Sequence, residues 1–470
     1  MRVSQKGRSG KRTGSKASPA RIAALNTIRR WREREGFVQN IMTRTVDDAP
    51  LSPQDRAFAT RLVCGVVSCV GTLNEVLNSC LNSPNDVKPD VRDALLISTY
   101  ELLFLHKDAH AAVDQGVELV RSVTPRAAGL ANAVLRKVAH AREDFPFGDA
   151  LTDTAAHARS QGFPLWLAEK LTDALGGSDA RAFMEASNEP APLFIAVNAA
   201  KASDGGILSL LQDAGAQARE GELEGRCVPG CYRLENRHGL LQPAVAGALH
   251  DGRMLVADAA SQAVAQRVAE AACEVRMART AEGKPFSFLE VGAGRGTKTI
   301  LLQSDAVRIG GEQFTHYATI DNHAFKTDIG TDRAEAYDIR VDEAITGDAN
   351  DLSDATGDKT FDCIFIDSPC TGLGTLRRHP EIRWRVAPRN IEEAAALDER
   401  LLASAAASLN PGGILAYATC TVTPEENQGA VGRFLESPAG EGFSIEETFK
   451  TELKPGNASP DAHFLCILSK

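Results

Sequence analysis

Two cysteines stand where a thiol can do chemistry. The apolar run Phe361–Ile366 ends at Asp367 and continues as Ser368-Pro369-Cys370-Thr371-Gly372. A second run, Gly413–Ala418, ends at Thr419-Cys420 and continues as Thr421-Val422-Thr423-Pro424-Glu425-Glu426-Asn427. Short apolar runs bounded by turn residues read as buried strands. Each thiol therefore lies just past the carboxyl end of a strand, where ligands bind in open α/β sheets. A reactive cysteine needs access and a depressed pKa, and the mouth of a sheet offers both. One such cysteine reads as a small buried hydrophobe. Two of them, beside a glycine-rich turn, read as a thiol site.

That turn follows the run Phe286–Val291. It comprises Gly292, Ala293, Gly294, Arg295, Gly296, Thr297 and Lys298. Glycines at alternate positions let the backbone turn tightly and approach a ligand closely. The next run, Tyr317–Ile320, ends at Asp321, about where a carboxylate meets ribose hydroxyls. Asp348 follows Gly347 and is placed to face an adenine amino group. No Gly-Lys-Ser/Thr ending follows the glycines, which disfavours phosphoryl transfer.

The elements that position these residues read as strand, turn and helix in repetition from about residue 255, with a last strand at Phe464–Leu468. This pattern predicts a mainly parallel sheet. Residues 17–145 are helical by apolar spacing, as in Leu62, Val66, Leu73 and Leu77. Ser52-Pro53 is a helix start, with a capping serine and proline at the first helical position. Residues 150–250 mix short apolar runs with glycines and predict a small α+β unit, including a strand at Leu193–Asn198.

At 470 residues the chain is long for one core, and an apolar fraction of 43 % suits folded domains. No apolar run approaches the roughly 20 residues of a membrane span, and no secretory signal opens the chain. The ten cysteines are scattered, which fits reduced thiols in the cytoplasm. Cys227 and Cys231 have no second ligand pair nearby and read as part of a loop; no metal is expected. The formal net charge of −10 argues against a nucleic-acid partner, but its distribution softens that. Residues 1–16 form a basic tail expected to be disordered. Arg377, Arg378, His379, Arg383, Arg385 and Arg389 form a second basic cluster that can bind phosphates.

The motifs together resemble the RsmB/Sun-type ribosomal RNA cytosine-5 methyltransferases over nearly the whole chain. The family's Asp-Ala-Pro-Cys-Ser-Gly is matched at Asp367–Gly372, and its Thr-Cys-Ser block with Pro-Glu-Glu-Asn at Thr419–Asn427. Asp258-Ala259-Ala260-Ser261-Gln262 resembles the family's entry to the catalytic domain. Asp55-Arg56, Tyr100–Leu105, Ala111–Leu119 and Asn132–Arg136 resemble the NusB-like helical domain of RsmB-type members. The first motif departs from the family's Ala-Ala-Pro-Gly-Gly-Lys-Thr: it keeps Lys298 but lacks the proline.

The resemblance implies a multidomain chain. After the tail come an all-α NusB-like RNA-binding domain (17–145), a small α+β RNA-binding or linker region (150–250) and an α/β Rossmann-like class I methyltransferase domain (251–470). It implies S-adenosylmethionine as cofactor, held by Gly292–Lys298, Asp321, Asp348 and Asp367. It also implies Cys420 as the nucleophile on cytosine C6, Cys370 as the group that assists product release, and Asp367 on the cytosine edge. The implied substrate is ribosomal RNA, the 16S species before full ribosome assembly, with a monomeric enzyme and no membrane. Two other readings stay open on the residues: a binding protein on a dead methyltransferase fold, and a DNA cytosine-5 enzyme, in which the Pro-Cys cysteine is the nucleophile.

Overall fold

A computed structural model describes residues 17–34, 36–223, 225–456 and 458–470. The basic tail expected at 1–16 lies outside the described residues. The chain divides into two compact units.

The first unit runs to Glu169 and includes His379–Trp384. Its main helices are Pro19–Arg34, Pro53–Cys80, Pro89–Leu103, Ala109–Val123 and Ala128–Ala141. The Ser52 hydroxyl accepts from the Asp55 backbone N–H at 3.1 Å, and Asp108 caps the helix at Ala109 by accepting from Ala111 N–H at 2.9 Å. Leu62, Val66, Leu73 and Leu77 meet Leu95, Leu102, Leu119 and Leu135 in the core. Burying each such side chain stabilises the unit by about 1.5–3 kcal/mol. Pro53–Cys80 has the length and apolarity of a membrane span, which a search for unbroken apolar runs overlooks because polar residues interrupt it. Its apolar residues instead build this core.

The basic segment contributes to the unit's interior. Trp384 donates its indole N–H to the Ser68 carbonyl at 2.7 Å and lies against Gly71, where a Cβ would come within 2.0 Å of its ring. Glu381 accepts from Val38 N–H at 3.0 Å. Arg383 is fully buried, with its guanidinium 4.0 Å from the centre of the Phe163 ring. Burial pulls its pKa down to about 10.

The second unit comprises Lys170–Arg378 and Arg385–Lys470. Its strands are β1 (Leu193–Val197), β2 (Ala218–Leu223), β3 (Arg226–Leu234), β4 (Met254–Val256), β5 (Phe288–Val291), β6 (Tyr317–Asp321), β7 (Glu343–Thr346), β8 (Phe361–Asp367), β9 (Leu409–Thr419), β10 (Ser444–Lys450) and β11 (Phe464–Ser469). The first four form an antiparallel sheet of order β2-β3-β1-β4. Cys227 and Cys231 lie on β3 rather than in the expected loop, with Cys231 opposite Ala196. Val228-Pro229-Gly230 falls at an irregularity in the pairing with β2, between the paired stretches Arg226–Cys227 and Tyr232–Leu234, and Gly230 takes φ +76° there.

The larger sheet has the order β10-β11-β9-β8-β5-β6-β7, with β5 to β9 parallel and β11 antiparallel to both its neighbours. Its strands alternate between two buried faces. Phe288, Phe365 and Ala416 pack on one side with the helices Ala259–Ala281 and Thr297–Gly310. Leu289, Ile364, Leu415 and Tyr417 pack on the other with Pro388–Ala407 and Gln428–Glu436. Burial on both faces is why these strands read as continuous apolar runs. Register sets Val291 beside Ile320 and Ile366, and Asp367 beside Ala418. The turn at Gly292, Asp321, Asp367 and Cys420 therefore share one edge.

Candidate active site

At that edge the glycine turn leaves β5 and enters the helix Thr297–Gly310. Gly292 has φ +79°, and a Cβ there would lie 2.4 Å from the Asp367 carbonyl. Only glycine permits both the left-handed backbone and this approach to β8. At Gly294 a Cβ would meet nothing nearer than the Gly292 carbonyl at 3.7 Å, so the space beside the turn is open. The Asp321 carboxylate ends β6 and is fixed by Gly294 N–H at 3.1 Å and His323 N–H at 2.9 Å. Asp348 follows β7 and accepts from the Asn350 backbone at 3.0 Å, which holds its pKa below the usual carboxylate value. Arg295 is exposed, and Thr297 opens the helix. An open glycine turn with carboxylates after the next two strands fits an adenosine-bearing cofactor.

Lys298, the second residue of that helix, reaches back to the Asp367 carboxylate at 2.7 Å. Beside this pair the Cys370 and Cys420 sulfurs are 3.4 Å apart, and the Cys420 N–H points to the Cys370 sulfur at 3.3 Å. Both thiols are half-buried. The hydrogen bond from Cys370 holds the Cys420 thiol below its ordinary pKa, and the Lys298 ammonium adds to this against the cost of burial. The same hydrogen bond, with burial, pushes Cys370 well up. The two thiols are thus held apart in acidity, Cys420 below and Cys370 above the ordinary thiol value.

Residues without an assigned role in the sequence reading hold this arrangement. Glu426 is fully buried and accepts from Thr371 N–H at 2.6 Å, the Thr371 hydroxyl at 2.7 Å and the Thr421 hydroxyl at 3.3 Å. Its carboxylate ties the Cys370 loop to the Cys420 loop. The signal was present in the Pro424-Glu425-Glu426-Asn427 block, but nothing in a sequence says which glutamate turns inward. Asp398, from the helix Pro388–Ala407, accepts from the Ser368 hydroxyl, and burial raises its pKa to about 7. Gly374 closes the loops from the other side: its N–H donates to the Cys420 carbonyl at 2.9 Å, and a Cβ would lie 2.0 Å from the Ala462 carbonyl. Glu426→Ala is expected to leave several buried donors unpaired, lowering stability by roughly 2–4 kcal/mol. Denaturant titration checks this, and an unchanged midpoint would contradict it.

The basic cluster does not form the expected phosphate patch. Arg377 is buried and donates to the carbonyls of Ala186, Ser459 and Lys454 at 2.9–3.1 Å. Arg378 bridges Asp258 and Asp461, each at 2.7 Å. With Arg383 buried against Phe163, these charges are spent on interior carbonyls, carboxylates and a ring. Arg385 and Arg389 are exposed.

A parallel sheet of this order, with one reversed strand next to its edge, a glycine turn after its first strand and acids after the following ones, is the Rossmann-like fold of S-adenosylmethionine-dependent methyltransferases. Residues 284–465 match the family described as 16S rRNA methyltransferase RsmB/F, residues 18–140 the NusB family and residues 163–235 the RsmF/B-like ferredoxin-like domain. The Mycobacterium tuberculosis protein named "Putative methyltransferase Rv1407" is 31% identical over 423 residues, covering 88% of this chain and 86% of that one. Ribosomal RNA small subunit methyltransferase B of Erwinia tasmaniensis is 28% identical, with coverage of 90% and 91%. The chain belongs to the RsmB/F family of S-adenosylmethionine-dependent methyltransferases. Among solved structures, that titled "Crystal Structure of PH0851" has a TM-score of 0.76 at 21% identity over 97% of this chain and 100% of that one. NSun6 from Pyrococcus horikoshii with SFG has a TM-score of 0.52 at 17% identity, over 66% and 99%. Both share the fold.

Proposed function

We propose that the protein methylates C5 of a cytosine in ribosomal RNA, of the 16S species before full ribosome assembly, through a covalent bond between Cys420 and C6. The observation that carries this reading is the pair of thiols 3.4 Å apart at neighbouring strand ends, beside the Lys298–Asp367 ion pair. Cytosine C5 is a poor nucleophile. Addition of the Cys420 thiolate to C6 gives C5 enamine character, dividing one hard step into easier ones. The cofactor, when bound, supplies an electrophilic methyl group. Asp367 holds the cytosine edge and favours a proton at N3, while Lys298 fixes the Asp367 carboxylate and lowers the pKa of Cys420. Cys370 then assists removal of the C5 proton, which passes to water. As that proton leaves, its electron pair reforms the C5–C6 double bond and the C6–S bond breaks, returning Cys420 as a thiolate. The base must leave its stack to reach these groups.

Gly292–Lys298, Asp321, Asp348 and Asp367 hold the cofactor in this reading, and the helical NusB-like region binds the RNA. The same reading takes the enzyme as a cytoplasmic monomer. Bisulfite mapping of ribosomal RNA from a strain lacking the gene tests the substrate: one cytosine should lose its protection from conversion, and an unchanged map would contradict it. Asp321→Ala is expected to weaken S-adenosylmethionine binding by about 1.5–3 kcal/mol, the value of a charge-assisted hydrogen bond. Unchanged affinity by calorimetry would remove Asp321 from the cofactor site.

A further inference from the structure

The edge of the large sheet continues past the thiols. The strand β9 ends at Thr419, β11 begins beside it at Phe464, and β10 ends opposite Phe464 at Lys450. Over this part of the edge lies a cavity of about 430 Å³, within the ~300–1,000 Å³ range of small-ligand pockets. Leu175 and Phe183 line it from the helices Leu165–Leu175 and Gly177–Ala186, and Val422 from the loop that carries Cys420. His463 lines it as well, and its electrostatic neighbours include Lys298 and Asp367. The cavity thus neighbours the thiol site through Thr421, next to Cys420 in the chain, yet is lined by neither thiol.

His463 supplies a second observation. It is only 6 % exposed, and its Nδ1 has no hydrogen-bond partner among the described residues. A buried ring nitrogen left unpaired is costly, and it is relieved by a ligand that brings a polar edge. Burial and the Lys298 ammonium hold the imidazole at about 4, so it is neutral. The rings of Phe183 and Phe464 line the cavity together with polar groups that include Asp179, Thr448 and Glu452, and flat walls with hydrogen-bonding groups beside them fit a flat heterocycle with a polar edge.

Along the edge, the glycine turn and Asp321 lie at one side, the thiols in the middle and the cavity at the other. We infer that the cavity receives the unstacked base of the nucleotide next to the target cytosine, so that the enzyme reads two neighbouring bases of one RNA strand. This rests on the RNA methyltransferase reading above. Once the target base leaves its stack, its neighbour loses a stacking partner, and a pocket two residues beyond Cys420 recaptures it.

The test measures methylation by the full-length enzyme of RNAs carrying the mapped cytosine. The RNAs are assembled by ligation with a natural or an abasic nucleotide on each flank. With the unaltered enzyme, an abasic nucleotide on one flank is expected to raise KM about tenfold, the scale of one lost base contact, and on the other flank to leave it unchanged. Ala182→Phe, which fills the cavity from a half-buried position on its wall, is expected to raise KM on natural RNA similarly. The abasic RNA should then cost this variant nothing further, with S-adenosylmethionine affinity and unfolding midpoint as in the parent. The inference is overturned if the unaltered enzyme is indifferent to both abasic RNAs, an arm that needs no variant to fold. It is also overturned if a folded Ala182→Phe protein keeps the parent KM. Failure to methylate any RNA would instead overturn the reading on which it rests.

Discussion

The Cys420→Ala protein is expected to lose methyl transfer to RNA by a factor on the order of 10⁴ or more, while binding S-adenosylmethionine within a few-fold of the parent. Without the thiolate no group in the site can add to C6. Cys370 is half-buried 3.4 Å away, and burial with the Glu426 carboxylate still pushes its pKa up once Cys420 is gone, so it is a poor substitute. The cofactor side should be spared, because Asp321 and the glycine turn are held by their own hydrogen bonds. Transfer of a radiolabelled methyl group, with calorimetry for the cofactor, makes the comparison. Substantial activity in this variant would remove Cys420 from the reaction.

The site's skeleton was legible because Asp321, Asp367 and Cys420 lie at the ends of apolar runs. Strands buried on both faces are continuous in sequence, so their carboxyl ends, and with them Asp321, Asp367 and Cys420, could be read directly. The helix at Ser52-Pro53 was equally plain, since capping is local chemistry. What could not be read depended on partners far away in the chain. Arg377, Arg378 and Arg383 look like a phosphate patch until Asp258, Asp461, Phe163 and several carbonyls are brought to them. Glu426 and Asp398 look like surface acids, and only tertiary packing turns them onto the cysteine loops. The strand β10, Ser444-Ile445-Glu446-Glu447-Thr448-Phe449-Lys450, is mostly polar because it forms the sheet's outer edge. Its composition hides a strand that pairing with β11 creates.

Replacing Cys370 by alanine should fail differently. If Cys370 serves product release, Cys370→Ala still allows attack on C6 and methylation, but the adduct persists. A protein–RNA complex stable in denaturing gels is expected, rising from a trace in the parent to a major fraction of the enzyme. The double variant Cys370→Ala/Cys420→Ala should trap none. A pH effect follows from the same geometry. The Cys370 hydrogen bond is the leading cause of the lowered Cys420 pKa. Its loss raises that pKa, so the thiolate fraction, and with it the rate of adduct formation, should rise at higher pH than alkylation of Cys420 does in the parent. Adduct formation that begins at lower pH than in the parent comparison would contradict this assignment.

The identity of the sulfur bonded to RNA decides the central claim. The complex trapped by Cys370→Ala can be digested with nuclease and protease and its peptides weighed by tandem mass spectrometry. A methylated cytidine nucleotide should be found on the peptide bearing Cys420. A nucleotide on any other residue, or trapping by Cys420→Ala through Cys370 instead, would contradict the mechanism and reverse the roles of the two thiols.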